Sequence, residues 1–127
     1  MAFRIYRTKI AAGELGRAIT LWFSRRGFET QSLAAGETFI VQAKKGGTLA
    51  KVAGMSYALT VRLKQREGGV EVETGAGQWL DKAAAGAVGW LAFFPLAVTA
   101  GIGFYNQGKI MEDLLTFLEY YVAEAGD

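Results

Sequence analysis

Apolar and polar positions along the first third of the chain predict a strand followed by a helix. Phe3 to Ile10 alternates apolar or aromatic residues with polar ones, which is typical of a strand, and its late charges favour a sheet edge. Residues 11–27 carry apolar side chains at three- and four-residue spacing, which predicts an amphipathic helix. Gly27 suits the chain reversal that ends such a helix.

Three more strands are predicted downstream, after a loop that runs through Gly36. They cover residues 37–45, 55–67 and 70–74, each with alternating apolar and polar positions. The last two are joined by Gly68-Gly69, a pair of residues typical of a two-residue hairpin turn.

Charges on the two hairpin strands predict their register. Counting across the turn places Arg66 opposite Glu71 and Lys64 opposite Glu73. Opposite charges that face each other on neighbouring strands contribute about 0.2–1 kcal/mol per pair. We therefore expect one sheet face to be charged and solvated, with the first helix covering the other.

The longest apolar stretch runs from residue 83 to residue 108 and contains 26 residues without a charge. A helix of that length extends about 39 Å, and an uncharged apolar run above about 18 residues is a candidate membrane span. Pro95 interrupts it, which predicts either a kinked single span or a helical hairpin or re-entrant pair. A buried helix pair in a soluble oligomer is the alternative.

Small residues within this stretch predict close approach between helices. Ala85 with Gly89, and Ala97 with Gly101, have the four-residue spacing that allows helix backbones to meet in a bilayer. The candidate membrane or self-association surface comprises Ala85, Gly89, Trp90, Phe93, Phe94, Pro95, Ala97, Gly101 and Phe104. Gly101→Leu is expected to weaken self-association while sparing the fold of the N-terminal domain.

Residues 110–123 form an acidic amphipathic pattern, which predicts a last helix that packs on the body of the protein or on a second copy. The predicted fold class is therefore α+β, with a small antiparallel sheet of about four strands in the order β-α-β-β-β. A Pro-interrupted hydrophobic helix or helix pair follows, and then the amphipathic helix. Residues 1–82, 83–108 and 109–127 are these three parts of one structural unit.

The charge distribution is lopsided although the net charge is only +2. Residues 1–66 hold 12 Lys/Arg and 3 Asp/Glu, whereas residues 67–127 hold 2 and 9. A basic half of this kind favours anionic partners, including lipid headgroups and nucleic acid. The candidate anion or headgroup contacts are Arg25, Arg26, Lys44, Lys45, Lys51 and Lys82.

The side chains that most often perform catalysis are missing from the sequence. It contains no His and no Cys, which excludes thiol chemistry, disulfides, and imidazole or thiolate metal ligands. We therefore expect a non-enzymatic protein without catalytic residues, metal or cofactor. We also expect no concave pocket in which two or more titratable side chains converge.

These patterns lead to one functional hypothesis and two alternatives. The hypothesis is a non-catalytic, membrane-associated, self-associating domain whose basic N-terminal part is cytoplasmic, because Lys and Arg accumulate on that side of membrane segments. One alternative is a soluble, cytoplasmic oligomer that binds an apolar ligand or lipid. The other is a basic nucleic-acid-binding module, which is disfavoured because the RNA-recognition strand signature is missing and the aromatic residues alternate into the core.

Several segments resemble a family of small uncharacterised bacterial proteins. The similar segments are Lys44–Lys45, VAGMSYALTVRL (52–63), GAGQWLDKAAAGAVG (75–89) and FPLAVTAGIGFYNQGKI (94–110). That family carries a strand pair, a G-x-x-W-x-D-K segment and a P-L-A-x-T-A-x-I-G-x-x-x-Q stretch. The resemblance implies no activity, substrate or catalytic residue.

Overall fold

The computed structural model describes residues 2–45, 50–52, 55–80 and 107–125. In chain order, the elements are β1 (Ala2–Arg7), α1 (Ala12–Ser24), β2 (Phe28–Ala35), β3 (Thr38–Lys45), β4 (Ala50–Val52), β5 (Met55–Arg66), β6 (Gly69–Gln78) and α2 (Gln107–Ala125). The predicted α+β class is confirmed. The expectation of about four strands is wrong, because the described ranges form six.

The six strands form one antiparallel sheet with the order β1-β6-β5-β3-β2. The short strand β4 pairs with β5 beside the end of β3. β1 lies at one edge, as its charges predicted, and β2 lies at the other. The first and the last of the described strands are therefore neighbours.

The sequence pattern missed β2 because its alternation is weak. On the face that bears α1, Ser32 and Ala34 are exposed, so no apolar residue is required there. On the opposite face, a polar residue, Gln31, occupies a buried position beside the apolar Leu33. A polar residue in the core and small residues on the surface remove the period-two signal on which the prediction relies.

α1 and α2 cover one face of the sheet, which is here called the helix face. The core that they enclose with the strands consists of Tyr6, Ile10, Ala12, Leu15, Ile19, Trp22, Phe23, Val41, Ala43, Leu59, Val61, Leu63, Val70, Val72, Met111, Leu114, Leu115 and Leu118. The predicted apolar stripe of the first helix is thus confirmed. The start of α1 is secured from the sheet, because Gln65 Oε1 accepts a hydrogen bond of 2.7 Å from the backbone N–H of Ala12.

The antiparallel pairing of β5 with β6 confirms the predicted hairpin, but the predicted register is wrong by two residues. Arg66 faces Gly69, and Lys64 faces Glu71 instead of Glu73. A shift of two preserves which side chains share a face, since side chains alternate with a period of two. The charged residues therefore remain together on the face away from the helices.

The error in register comes from the position of the turn. Glu67 and Gly68 form it, and Gly68 has a φ of 79°, which favours glycine. Gly69 already belongs to β6 and is needed for another reason, because a Cβ there would overlap the carbonyl oxygen of Tyr6 on β1. The two glycines thus serve a turn and a close approach between strands, and do not form one two-residue turn.

Two ion pairs stabilise this charged part of the hairpin. Arg62 Nη2 lies 2.9 Å from Glu73 Oε1, and its Nε donates to the same oxygen at 3.1 Å. Arg66 forms an ion pair with Glu71, the partner that the sequence predicted. The two residues meet diagonally across the strands, whereas the prediction placed them directly opposite each other. Glu73 forms its ion pair with Arg62, whereas the prediction paired it with Lys64.

The prediction that this second face of the sheet is solvated is wrong for its centre. Ile40, Gln42, Ala58 and Thr60 lie on it and are fully buried. The charged residues lie toward the ends of the face, those of β5 and β6 near the hairpin and Lys44 with Glu29 at the opposite end. The alternating pattern could not reveal this, because Ala58 and Thr60 are small or polar residues typical of either environment.

Buried side-chain amides on the second face hold the chain where it leaves β6. Gln42 Oε1 accepts hydrogen bonds from the backbone N–H of Leu80 and from Gln31 Nε2, both at 2.8 Å. Gln31 Nε2 also donates to the Leu80 carbonyl oxygen at 2.9 Å. Gln42 Nε2 donates to Thr60 Oγ1 at 3.2 Å. The backbone of Leu80 is thereby fixed against the sheet on the side opposite α2.

α2 confirms the predicted amphipathic helix and extends it to 19 residues. Its apolar stripe joins the core, so the predicted packing on the body of the protein is also confirmed. It runs antiparallel to α1, since Tyr121 reaches Glu14 near the start of α1 and Phe117 reaches Trp22 near its end. The outward side carries the acidic residues Glu112, Asp113 and Glu119.

The predicted hydrophobic helix at 83–108 lies almost wholly outside the described residues, and so does the candidate self-association surface from Ala85 to Phe104. These expectations remain predictions. Within the described ranges, no helix has the length and apolar character that a membrane crossing requires.

The Tyr6 hydroxyl provides a test of the core. It is buried and has no hydrogen-bond partner among the described residues. A buried, unsatisfied hydroxyl costs about 1–3 kcal/mol, so Tyr6→Phe is expected to leave the free energy of unfolding unchanged or to raise it by about 1 kcal/mol. Burial of the phenol, and then the charge of Glu119, raise the pKa of Tyr6. The free energy of unfolding therefore falls above about pH 10, because the unfolded state loses the phenolic proton first. The Tyr6→Phe variant should lack this fall.

Denaturant unfolding at neutral and alkaline pH measures both effects. Tyr121→Phe is the matched control, because the Tyr121 hydroxyl donates to Glu14 Oε2 at 3.4 Å and its loss removes a contact. A loss of more than about 1 kcal/mol for Tyr6→Phe would show that the hydroxyl is satisfied in the folded protein.

Candidate functional site

A groove between α1 and α2 gathers cationic and aromatic side chains on the surface of the helix layer. Its volume is about 370 Å³. α1 supplies one wall and α2 the other, which follows from the antiparallel packing of the two helices. The lining residues are Glu14, Arg17, Ala18, Leu21, Trp22, Arg25, Arg26, Phe117 and Tyr121.

The floor of the groove is a row of three aromatic rings. The centroids of Trp22 and Phe117 are 6.2 Å apart, and those of Phe117 and Tyr121 are 5.7 Å apart. Interplanar angles of 31° and 38° leave the rings tilted toward one another. Leu21 adds an aliphatic side chain that is 51% exposed. The floor therefore offers mainly apolar surface.

Three guanidinium groups surround this floor, and one of them is fixed. The Arg26 guanidinium carbon lies 3.8 Å from the centre of the Trp22 ring, and Nη1 donates to the Trp22 carbonyl oxygen at 3.2 Å. This geometry is a cation–π contact. Arg17 and Arg25 are exposed and lie two helical turns apart on the same side of α1.

Glu14 and Tyr121 meet at the end of the groove nearest the start of α1. The Tyr121 hydroxyl donates to Glu14 Oε2 at 3.4 Å. Partial burial, and then the neighbouring carboxylate of Glu14, raise the pKa of Tyr121, so that the phenol remains a neutral hydrogen-bond donor. Glu14, Tyr121 and Arg17 therefore lie close together toward the start of α1, whereas Arg25 and Arg26 lie at its end.

The arrangement suits binding of an anion that carries an apolar group. Guanidinium groups recognise phosphate and carboxylate through paired hydrogen bonds, and the aromatic floor accepts hydrocarbon. The expectation that titratable side chains would not converge in a pocket is wrong, since Glu14, Tyr121 and the arginines do so. Among the described residues, no group of three acidic, His or Cys side chains could hold a metal ion.

The structure brings only part of the predicted anion-contact set together. Arg25 and Arg26 line the groove. Lys44 lies on the second face of the sheet, where its Nζ is 4.5 Å from the Trp79 ring and 3.7 Å from Glu29 Oε1. Lys45 belongs to strand β3 and Lys51 to strand β4. Lys82 lies outside the described residues.

The sequence pattern did not predict that Arg17 and the aromatic residues of α2 belong to the site. The four-residue spacing of Arg17, Leu21 and Arg25 is a signal that could have placed all three on one stripe of α1. The contribution of Phe117 and Tyr121 could not be predicted in this way, because it depends on how α2 packs against α1.

A second groove lies between α1 and strands β2 and β3, with a volume of about 320 Å³. Small residues of α1, Gly13 and Gly16, face the exposed Ser32 and Ala34 of β2 across it. Arg17 is its only ionisable lining residue among those described. It lacks the paired cationic and aromatic character of the first groove, which therefore remains the candidate site.

Comparison with protein-family models, with curated proteins and with solved structures finds no match to this chain.

Proposed function

We propose that the chain is a non-catalytic, membrane-associated domain that lies on one side of an anionic bilayer and contacts lipid headgroups through the groove between α1 and α2. The observation that carries this proposal is the position of Arg17, Arg25 and Arg26 around an apolar aromatic floor. An anionic headgroup with attached hydrocarbon matches both components.

The same groove is poorly suited to nucleic acid, the other class of anionic partner. Single-stranded nucleic acid binds by stacking bases on free aromatic faces. Trp22 is only 6% exposed, and its ring is occupied by Arg26 and packed against Phe117.

The two described ends of the apolar stretch restrict how it could meet a membrane. Leu80 is held on the second face of the sheet by Gln31 and Gln42, whereas α2 packs on the helix face. A chain that crossed a bilayer once between Leu80 and Gln107 would separate these positions by about 30 Å of hydrocarbon. Because Leu80 and Gln107 belong to one packed fold, the proposal takes the helical hairpin or re-entrant pair in place of the single span.

The remaining parts of the hypothesis keep their original basis. The excess of Lys and Arg in residues 1–66 favours a cytoplasmic position for the folded domain. Self-association through Ala97 and Gly101, and its loss in Gly101→Leu, rest on the sequence spacing alone. The soluble alternative, an oligomer that binds an apolar ligand or lipid, would use the same groove with a free ligand in place of a bilayer lipid.

Loss of two arginines from the groove is expected to weaken binding of an anionic lipid selectively. Each Lys or Arg near an anionic membrane surface contributes about 1 kcal/mol, so Arg17→Ala with Arg25→Ala should raise the dissociation constant about 30-fold. Calorimetric titration of the detergent-solubilised full chain with short-chain phosphatidylglycerol measures this constant. Short-chain phosphatidylcholine should bind weakly to both proteins.

The matched control removes the same charge from elsewhere. Arg7→Ala with Lys9→Ala deletes two exposed cations away from the groove, and its affinity should stay within about twofold of the wild type. Equal affinity for the two lipids, or an equal loss in both double variants, would contradict a built headgroup site. Tighter binding of a single-stranded oligonucleotide through the same arginines would instead support the nucleic-acid alternative.

A further inference from the structure

The Arg26 guanidinium in the groove between α1 and α2 is held in place with one of its edges unused. The Trp22 ring covers a face of this group at 3.8 Å, and Nη1 donates to the Trp22 carbonyl oxygen at 3.2 Å. Nε and Nη2 have no partner among the described residues. These two atoms form one edge of a planar group, so their N–H bonds point in the same direction.

An edge of this kind binds an anion through paired hydrogen bonds. Arg62 uses the same two atoms on the sheet, where its Nε and Nη2 donate to the carboxylate of Glu73 at 3.1 and 2.9 Å. The equivalent atoms of Arg26 lie beside the aromatic floor of the groove. Because ring stacking and a backbone hydrogen bond already order the Arg26 side chain, binding an anion there costs less conformational entropy.

The end of a helix normally repels anions, because its last carbonyl groups carry partial negative charge. At the end of α1 these groups already accept hydrogen bonds. The carbonyl oxygens of Leu21, Phe23 and Ser24 accept from backbone N–H groups. That of Trp22 accepts from Arg26. The two arginines at this helix end therefore dominate the local charge, which favours an anion there.

The charge of the groove exceeds what a singly charged headgroup would neutralise. The described lining contains three arginines and one carboxylate, Glu14, which leaves a balance of +2. Tyr121 adds no charge, because partial burial and the neighbouring Glu14 raise its pKa. A phosphodiester carries one negative charge, whereas a phosphomonoester carries about 1.5 to 2 at neutral pH. The monoester therefore matches the groove more closely.

We propose that the groove between α1 and α2 selects a lipid whose headgroup ends in a phosphomonoester, and that the open edge of Arg26 binds two of its phosphate oxygens. A phosphodiester has only two free oxygens, so this edge uses both. A terminal phosphomonoester has a third, which is left for a second guanidinium of the same groove. The inference rests on the proposed function and adds the class of lipid that the groove prefers.

The charge of the ligand can be changed by pH without a histidine in the protein titrating. Histidine is the only side chain that ordinarily changes charge between about pH 5 and pH 8, and the sequence has none. The second proton of a phosphomonoester has a pKa of about 6. The ionisable residues that line the groove are Glu14, Arg17, Arg25 and Arg26 of α1 and Tyr121 of α2. Acidification to about pH 5 is therefore expected to act mainly on the ligand.

Calorimetric titration of the detergent-solubilised full chain compares short-chain phosphatidic acid with short-chain phosphatidylglycerol. At about pH 7, phosphatidic acid should bind about five- to tenfold more tightly, because it brings a second charge to the arginines. At about pH 5, the two affinities should agree within about twofold, since phosphatidic acid has regained a proton. Phosphatidylglycerol keeps its charge and so reports any titration of the protein itself.

Arg26→Lys tests the open edge, because lysine keeps the charge but has neither the planar edge nor the stacking on Trp22. This variant should raise the dissociation constant of phosphatidic acid about tenfold. Arg25→Lys is the matched control, at an exposed position of the same helix end, and should change the constant by less than about twofold. Circular dichroism of both variants should match the wild type, because both side chains are exposed.

Inorganic phosphate distinguishes a lipid from a free anion. It has no hydrocarbon for the aromatic floor and should bind more than about tenfold more weakly than phosphatidic acid. Equally tight binding of inorganic phosphate would overturn the inference that the ligand is a lipid. Equal affinities of the two anionic lipids at both pH values, or equal effects of the two lysine variants, would overturn this inference and leave the proposed headgroup contact in place. Binding of both lipids as weak as that of phosphatidylcholine would contradict the proposed function as well.

Discussion

Replacing Gln42 by leucine is expected to lower the free energy of unfolding by about 3–5 kcal/mol, although the two side chains are similar in size. Gln42 is fully buried on the second face of the sheet. Its Oε1 accepts from both the Leu80 N–H and Gln31 Nε2. Leucine leaves these two buried donors without that acceptor, and each unsatisfied donor costs about 1–3 kcal/mol.

A double-mutant cycle separates the side-chain pair from the backbone contact. Adding Gln31→Leu removes one stranded donor, so the double variant should lose about 1–2 kcal/mol less than the sum of the single variants. Ser32→Ala, at an exposed position of the same strand, is the control and should change stability by less than about 0.5 kcal/mol. Denaturant unfolding provides the values. A loss below about 1 kcal/mol for Gln42→Leu would mean that the amide network does not hold Leu80 in solution.

The sequence predicted best those elements whose two faces differ strongly in polarity. α1 has a continuous apolar stripe from Ala12 to Phe23, and its packing against the sheet confirmed that pattern. β5 alternates Leu59, Val61 and Leu63 with shorter or polar residues, so its existence and its core face were both predictable. A period of two or 3.6 residues is a local property, which a single sequence contains.

The features that could not be predicted depend on contacts between distant residues. β2 was missed because Gln31 occupies a core position, and its burial is explained only by Gln42 and Leu80. The hairpin register was wrong because Gly69 serves the close approach of Tyr6 on β1, and not the turn. In both cases, tertiary contacts override the local preference of the residue.

The candidate site also has a part that was predictable from the sequence and a part that was not. Arg25 and Arg26 were predictable from a cluster of charge at the end of α1. The binding surface was not, because the row of Trp22, Phe117 and Tyr121 joins residues almost a hundred positions apart. Lys44 shows the opposite error, since Trp79 and Glu29 explain its position on the second face of the sheet.

The described fold also determines what membrane association must look like. Lys9, in the loop before α1, and Ala123, near the end of α2, are both exposed and belong to one packed domain. They must therefore lie on the same side of any membrane that holds the chain. Since Lys and Arg accumulate in the N-terminal half, that side is expected to be cytoplasmic.

Cysteine labelling of the full chain in bacterial membranes tests this placement most directly. Lys9→Cys and Ala123→Cys each introduce a single thiol, because the sequence has none. In inverted membrane vesicles washed with high salt, both positions should react with a membrane-impermeant maleimide, and in intact cells neither should react. Labelling after detergent solubilisation is the control for accessibility. Reaction of the two positions from opposite sides, or loss of the protein from the washed membranes, would contradict a domain held on one side of a bilayer.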